Sequence, residues 1–212
     1  MKKKVIFLLL FLSGSSIVFA QTEKGRWLVA GYSNLGLDIG KNKYKSGGTT
    51  NENYKYSTFN LQPEAGYFVM DKLAAGLFVD FYRSTNKYDN GDKDFSTMIT
   101  IGPFIRYYLM NYKGFWPYAE GRVGFGLENY TNSYNPDYES KYTFFTTKLG
   151  AGATYFVTER FGFDIFMGYD YDAWTDKTVE IASRQVNASS DNKDKFGSFE
   201  MNIGVVLSLG TK

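Results

Sequence analysis

Histidine and cysteine are both absent from this chain of 212 residues, and proline occurs only four times. Without a thiol or an imidazole, cysteine nucleophiles, histidine acid–base pairs and histidine- or cysteine-based metal sites are closed to it. No disulfide framework can staple the fold, so stability has to come from a well-connected sheet. Long apolar runs are missing too. The one unbroken stretch, Val5 to Leu12, is far shorter than the ~20 residues of a spanning helix. There is no large excess of basic charge either. Lys and Arg number 24 against 22 Asp and Glu, and three of the lysines are Lys2, Lys3 and Lys4. Beyond that terminus no nucleic-acid footprint remains.

What is present begins with a leader. Lys2–Lys4 precede the apolar stretch, and Val18-Phe19-Ala20 ends the more polar segment behind it. Small residues one and three positions before a cut mark a cleavable secretory signal over 1–20, cleaved between Ala20 and Gln21. Residues 21–212 then form one domain. Its 18 Tyr, 19 Phe and 3 Trp are far too many for a disordered segment.

Alternation dominates that domain. From Phe199 to Leu209 apolar residues fall at 199, 201, 203, 205, 207 and 209, with Glu200, Asn202 and Ser208 among those between. A period of two is the mark of a strand with one apolar and one polar face. The pattern recurs over 25–39, 57–70, 73–82, 95–110, 116–130, 143–158 and 161–174. The phase of the first is mixed, as a bulge would make it. Eight segments, each long enough to cross a bilayer at a tilt, predict an all-β chain. The expected fold is an eight-stranded, antiparallel, up-and-down transmembrane β-barrel with its apolar phase facing lipid.

The connections alternate in length. Short turns follow the second, fourth and sixth strands, and longer polar loops are expected over 40–57, 85–94, 131–142 and 175–195. Outer-membrane barrels place short turns in the periplasm and long loops outside, so both termini are expected to be periplasmic. The repeats at 66–73, 106–113 and 154–161 each carry an aromatic pair before a polar turn. Tyr67, Phe68, Tyr107, Tyr108, Tyr155 and Phe156, with Phe115, Trp116 and Phe161, are expected to form one aromatic girdle. Phe81, Phe95, Tyr130, Tyr142, Tyr169, Tyr171 and Trp174 are expected to form the other. Pro63 and Pro103 lie on the lipid face and each forfeits a ladder hydrogen bond, which predicts a local bulge or kink.

The charged residues of the polar phase are the candidate site: Glu64, Asp80, Arg106, Glu120, Arg122, Lys148, Asp164 and Glu200. An eight-stranded lumen is just wide enough to be filled by side chains. Charges at that depth should therefore pair with one another, because an unpaired buried charge is costly. Either they form a satisfied core that plugs the barrel, or they line a narrow channel or proton relay. The glycines that alternate with them would give the long side chains room. No catalytic residue, cofactor or metal ligand is expected.

Residues 62–76, beginning Gln62-Pro63-Glu64-Ala65-Gly66-Tyr67-Phe68, and Gly102-Pro103-Phe104-Ile105-Arg106-Tyr107-Tyr108-Leu109 resemble the eight-stranded outer-membrane β-barrel family. The resemblance is to the OmpX and OmpA-transmembrane-domain type found in Bacteroidetes. It implies a small closed barrel with a charged interior, acting in adhesion, envelope integrity or resistance to host defences. The expectation is a monomeric, non-enzymatic surface protein of the bacterial outer membrane. Its partners would be outer-membrane lipid and lipopolysaccharide, with a host or surface ligand engaged through the loops. Lys41, Lys43, Lys45 and Lys55 are the candidate loop contacts. A narrow passive channel is the first alternative, and a soluble lipocalin-like carrier of hydrophobes the second.

Overall fold

A computed structural model describes residues 21–33, 38–46, 49–135, 138–181, 184–186 and 195–210. The expected leader, 1–20, lies outside the described residues. Ten strands follow one another: β1 Trp27–Ser33, β2 Asp38–Ser46, β3 Thr49–Met70, β4 Leu73–Tyr88, β5 Lys93–Tyr108, β6 Phe115–Asn132, β7 Tyr138–Phe156, β8 Phe161–Ile181, β9 Arg184–Val186 and β10 Lys195–Leu209. β1 and β2 both pair with β3 and together hold the first barrel position, while the short β9 folds back on β8. Each neighbour is antiparallel and, β9 apart, next in sequence. β1 also pairs with β10, Trp27 opposite Leu209 and Ser33 opposite Ile203, which closes the sheet. The result is a closed eight-stranded barrel, in which closure through β1 pairs the ladder groups of both flanking strands along its length.

The expected faces hold. Leu61, Leu77, Ile101, Phe125, Leu149, Ile165 and Ile203 point outward and are exposed, whereas Glu64, Arg106, Glu120, Arg122 and Asp164 are buried in the lumen. This is the inverse of a soluble barrel and removes the lipocalin-like carrier, which needs an apolar interior. The first strand resolves its mixed phase by facing Leu28, Ala30 and Tyr32 inward and Trp27 outward. A register shift does occur there, farther on, between Asn42 and Lys43. At the prolines the ladder is interrupted without a bulge. Pairing between β3 and β4 skips Gln62 and Pro63, and pairing between β5 and β6 skips Gly102 and Pro103. The register resumes unchanged in both places.

Two expectations are corrected. The four long loops are mostly strand. β2 and β3 leave only 47–48 between them, β4 and β5 only 89–92, β6 and β7 only 133–137, and β8 runs to Ile181. These segments are polar on both faces, so no alternation betrays them, yet their Tyr and Thr favour extended backbone and the ladder continues through them. β3 with 22 residues and β8 with 21 are about twice as long as a bilayer crossing requires. The barrel therefore continues as a polar sheet beyond the apolar belt.

The first girdle is also divided by the wall. Tyr67, Tyr107, Tyr155 and Phe115 face outward, but Phe68, Tyr108, Phe156 and Trp116 are buried inside. Adjacent residues of a strand must point to opposite faces, so an aromatic pair cannot serve one belt. In the second set, Phe81, Phe95, Tyr169 and Tyr171 share the outward phase. Tyr130 and Tyr142 take the inward one, and the side chain of Trp174 lies outside the described residues.

The inner aromatics close the short-turn end. Phe68, Tyr108, Trp116, Phe156, Leu28 and Val206 form one buried cluster, with Trp116 edge-on to Tyr108 at 6.2 Å between centroids. Residues 21–26 tuck beneath it. Arg26 donates from Nε to Ser208 Oγ (2.8 Å) and from Nη2 to Ser208 O (3.0 Å), and Ser208 Oγ donates to Gln21 O (2.6 Å). Glycines make room for the rings. A Cβ on Gly152 would collide with the Tyr118 ring and the Ile165 carbonyl, and one on Gly150 with Phe166. The outward Gly31 has nothing within 4 Å. Gly152→Val is accordingly expected to abolish the heat-modifiable folded band on a gel and Gly31→Ala to retain it. Equal folding of the two would remove the argument from interior space.

Candidate functional site

Arg106 is the centre of the lumen. It is one of the largest fully buried side chains, carried inward on β5 because its phase is that of Phe104 and Tyr108. Its guanidinium reaches three carboxylates on three other strands. Nη2 donates to Glu64 Oε1 on β3 at 2.5 Å, Nε to Glu120 Oε2 on β6 at 2.5 Å, and Nη1 to Asp164 Oδ2 on β8 at 3.3 Å. Nη2 also donates to the Tyr32 hydroxyl at 2.6 Å. The Tyr118 ring lies beneath the guanidinium, 4.2 Å from Cζ to centroid. Five donors in a planar fork make this possible, and a lysine could not do it.

Arg122 completes the cluster. Its Nη2 donates to Glu64 Oε2 at 2.9 Å and its Nε to Glu120 Oε1 at 2.5 Å, so two guanidiniums and two carboxylates close a ring. The Tyr32, Phe78 and Phe166 rings surround it, with centroids 5.3–5.6 Å from Cζ. Asp164 is held by Tyr118 Oη (2.8 Å) and Thr154 Oγ1 (3.0 Å) as well as by Arg106. Every carboxylate of this group therefore has at least two donors. Five charges with matched donors meet across the lumen, which is the favourable way to bury them.

A second group sits on the other side of Arg122, toward the extended strands. Lys148 Nζ donates to Glu200 Oε1 at 2.5 Å and lies 3.3 Å from Asp170 Oδ2. Asp80 is satisfied by amides, accepting from Asn60 at 2.9 Å and from Gln62 at 2.8 Å. Asn202 donates to Glu200 (2.9 Å) and to Gln62 Oε1 (3.3 Å), and Arg122 Nη1 donates to the same Gln62 oxygen at 3.4 Å. Gln62 thus joins the two groups. Beyond it the lumen opens into a cavity of about 90 Å³ lined by Phe78, Asp80, Met98, Thr146, Lys148 and Asp170.

The structure places all eight of the candidate charges in the lumen, in two groups that Gln62 links. Tyr32, Tyr118, Gln62 and Asp170 were missed as members. The period of two gives the inward phase of Tyr118, Gln62 and Asp170 but not that of Tyr32, whose strand has a mixed phase. A rule that looks for paired charges passes over phenols and amides, and Asp170 lies nearer the strand end. Among the lysines assigned to a loop, Lys41, Lys43 and Lys45 belong to β2, with side chains outside the described residues, and Lys55 belongs to β3 and is exposed. Among the described residues no group of acidic side chains is arranged to hold a metal ion.

The model of the outer membrane protein beta-barrel domain matches residues 6–207. The chain belongs to that family of outer-membrane β-barrels. One solved structure agrees on the fold and a second is similar to the chain. Outer membrane protein OprG from Pseudomonas aeruginosa is 16% identical over 91% of this chain and 100% of its own, with a TM-score of 0.50. Neisserial surface protein A is 18% identical over 87% of this chain and 97% of its own, with a TM-score of 0.45. No curated protein matches the chain. The family places the protein in the bacterial outer membrane, where its apolar belt meets lipid.

Within such a barrel the Arg106 spoke and the Lys148 pair should differ in weight. Arg106→Leu strands three carboxylates with no exposure, an effect of ~3–5 kcal/mol, and Arg106→Lys recovers little of it. Lys148→Met removes a cation whose partners retain some exposure, so ~1–3 kcal/mol is expected. Urea midpoints of the refolded variants measure both, and a Lys148→Met loss equal to that of Arg106→Leu would contradict the ranking.

Proposed function

We infer that this protein is a closed, non-enzymatic barrel that serves the outer membrane as an envelope and surface-interaction protein, in adhesion or resistance. The observation that carries the reading is the Arg106–Arg122 cluster, which fills the middle of the lumen with paired side chains and, among the described residues, leaves the extended strands to meet other molecules. The end bearing those extensions faces outward, and both termini face the periplasm. Residues 1–20 act as the export signal, so the mature chain begins at Gln21.

Planar bilayers test the closed barrel. The refolded protein is expected to give no discrete conductance steps. Reproducible steps whose size changes in Arg106→Ala or Glu120→Ala would replace this reading with the narrow channel. Orientation has a separate test. The chain has no cysteine, so Asn90→Cys in the β4–β5 turn gives a single thiol. A membrane-impermeant maleimide should label it in intact cells, and a thiol at Asn111, in the turn at the opposite end, should stay unlabelled.

Surface interaction is tested by attachment. Cells displaying the protein should bind immobilised host glycans or matrix more than cells lacking it. Shortening the β2–β3 and β8–β9 hairpins should remove the gain. Attachment indifferent to both changes would leave only the envelope role.

A further inference from the structure

The extended strands carry an arrangement that a sheet ordinarily avoids. Lys55 on β3 is directly opposite Lys87 on β4, and Lys87 is directly opposite Lys93 on β5. On the other side, the backbone of Lys41 in β2 is opposite Lys55. Four lysines thus occupy one cross-strand row over four neighbouring strands, about 14 Å from end to end at the usual strand spacing. Lys55, Lys87 and Lys93 all take the outward phase and are exposed. None of the three makes an ion pair with a described residue. Directly opposed like charges destabilise a sheet, so the row costs stability that nothing described within the chain offsets.

Its height on the wall identifies what would offset it. The apolar belt ends on these strands at Leu61, Phe81 and Ile99, which are mutually opposite. One outward step higher, Phe59 and Arg83 are paired, and the Arg83 guanidinium lies over the Phe95 ring, 5.7 Å from its centroid. That is an interfacial anchor, with an aromatic at the edge of the belt and a cation above it. The lysine row lies four residues beyond Arg83 along β4, about 13 Å of strand and somewhat less in height once the strand tilt is counted. It therefore stands in the layer of lipid headgroups, with Lys87 and Lys93 at the base of the β4–β5 turn and Lys55 beside them on β3. It is also confined to one side of the barrel. On β6 and β7 the outward residues of the rows just below it include Asn129, Glu139 and Lys141, and Lys141 is 3.2 Å from Glu139.

We propose that the Lys55–Lys87–Lys93 row, with Arg83 below it, is a docking surface for the phosphorylated headgroup of an outer-leaflet glycolipid. Charge complementarity and depth carry the assignment. A multiply phosphorylated headgroup brings anions to the level where the row holds unpaired cations, while its acyl chains lie along the apolar face beneath. The proposal rests on the outward orientation inferred above, which the Asn90→Cys labelling decides independently.

The test compares the full mature protein with the triple variant Lys55→Gln, Lys87→Gln, Lys93→Gln in phosphatidylcholine vesicles, with and without diphosphorylated lipid A. Without lipid A the triple variant should unfold at the same temperature as the parent or higher, because opposed charges have been removed. Adding lipid A should raise the parent's unfolding temperature and leave the variant's unchanged. Apparent affinity should fall on the order of a hundredfold for three lysines at an anionic surface, and the parent's shift should shrink with salt. Lys24→Gln, Lys72→Gln, Lys113→Gln at the other end changes the charge equally and should respond as the parent does. Equal responses of parent and row variant overturn the proposal. So does an equal response of the parent to dephosphorylated lipid A, or to inorganic phosphate, which would make the row a site for free anions.

Discussion

Everything inside this barrel is arranged around one guanidinium. Lipid takes the apolar phase of every strand, so the polar phase has to be enclosed, and a ring of eight strands leaves no space for bulk water at its middle. Charges carried there either pair or prevent folding. Arg106 resolves the constraint by reaching Glu64, Glu120 and Asp164 on three separate strands, which ties β3, β5, β6 and β8 together through a single group. Arg122 then closes the ring with Glu64 and Glu120. A hydrophobic substitute could fill the same volume, but it could not fix which strands stand opposite one another across the lumen.

The rest of the interior follows from that cluster. On its short-turn side the space is filled with rings, Phe68, Tyr108, Trp116 and Phe156, and sealed by Arg26 and Ser208. On its other side the side chains become amides, a lysine and carboxylates, and then a small cavity. Polarity rises toward the extended strands, and exposure rises with it. Aromatic rings fill the lumen at one end, and charged and amide groups line it toward the other.

Much of this was legible in the residues. Phase alone placed all eight interior charges, the lipid-facing stripe of each strand and the closure of the sheet by an even number of strands. Reasoning from phase failed where it was set aside. An aromatic pair such as Tyr67-Phe68 was assigned to one girdle although neighbours in a strand cannot share a face. The two-sided polar segments around 40–57 and 175–195 were read as loops because they lack a period, although main-chain pairing needs none.

The sequence by itself determined the number of barrel positions and the face each side chain takes, because these depend only on a period of two and the chemistry of lipid. Tertiary structure decided who meets whom. Whether Arg106 pairs with Asp164 or Asp170, and whether Lys55 stands opposite a lysine or an acid, depends on the stagger of strands far apart in the chain. That stagger is set when the barrel closes, by the register of β1 against both β3 and β10. A one-residue slip would turn every side chain of a strand to its other face, so the period cannot reveal the partner until the ring is complete.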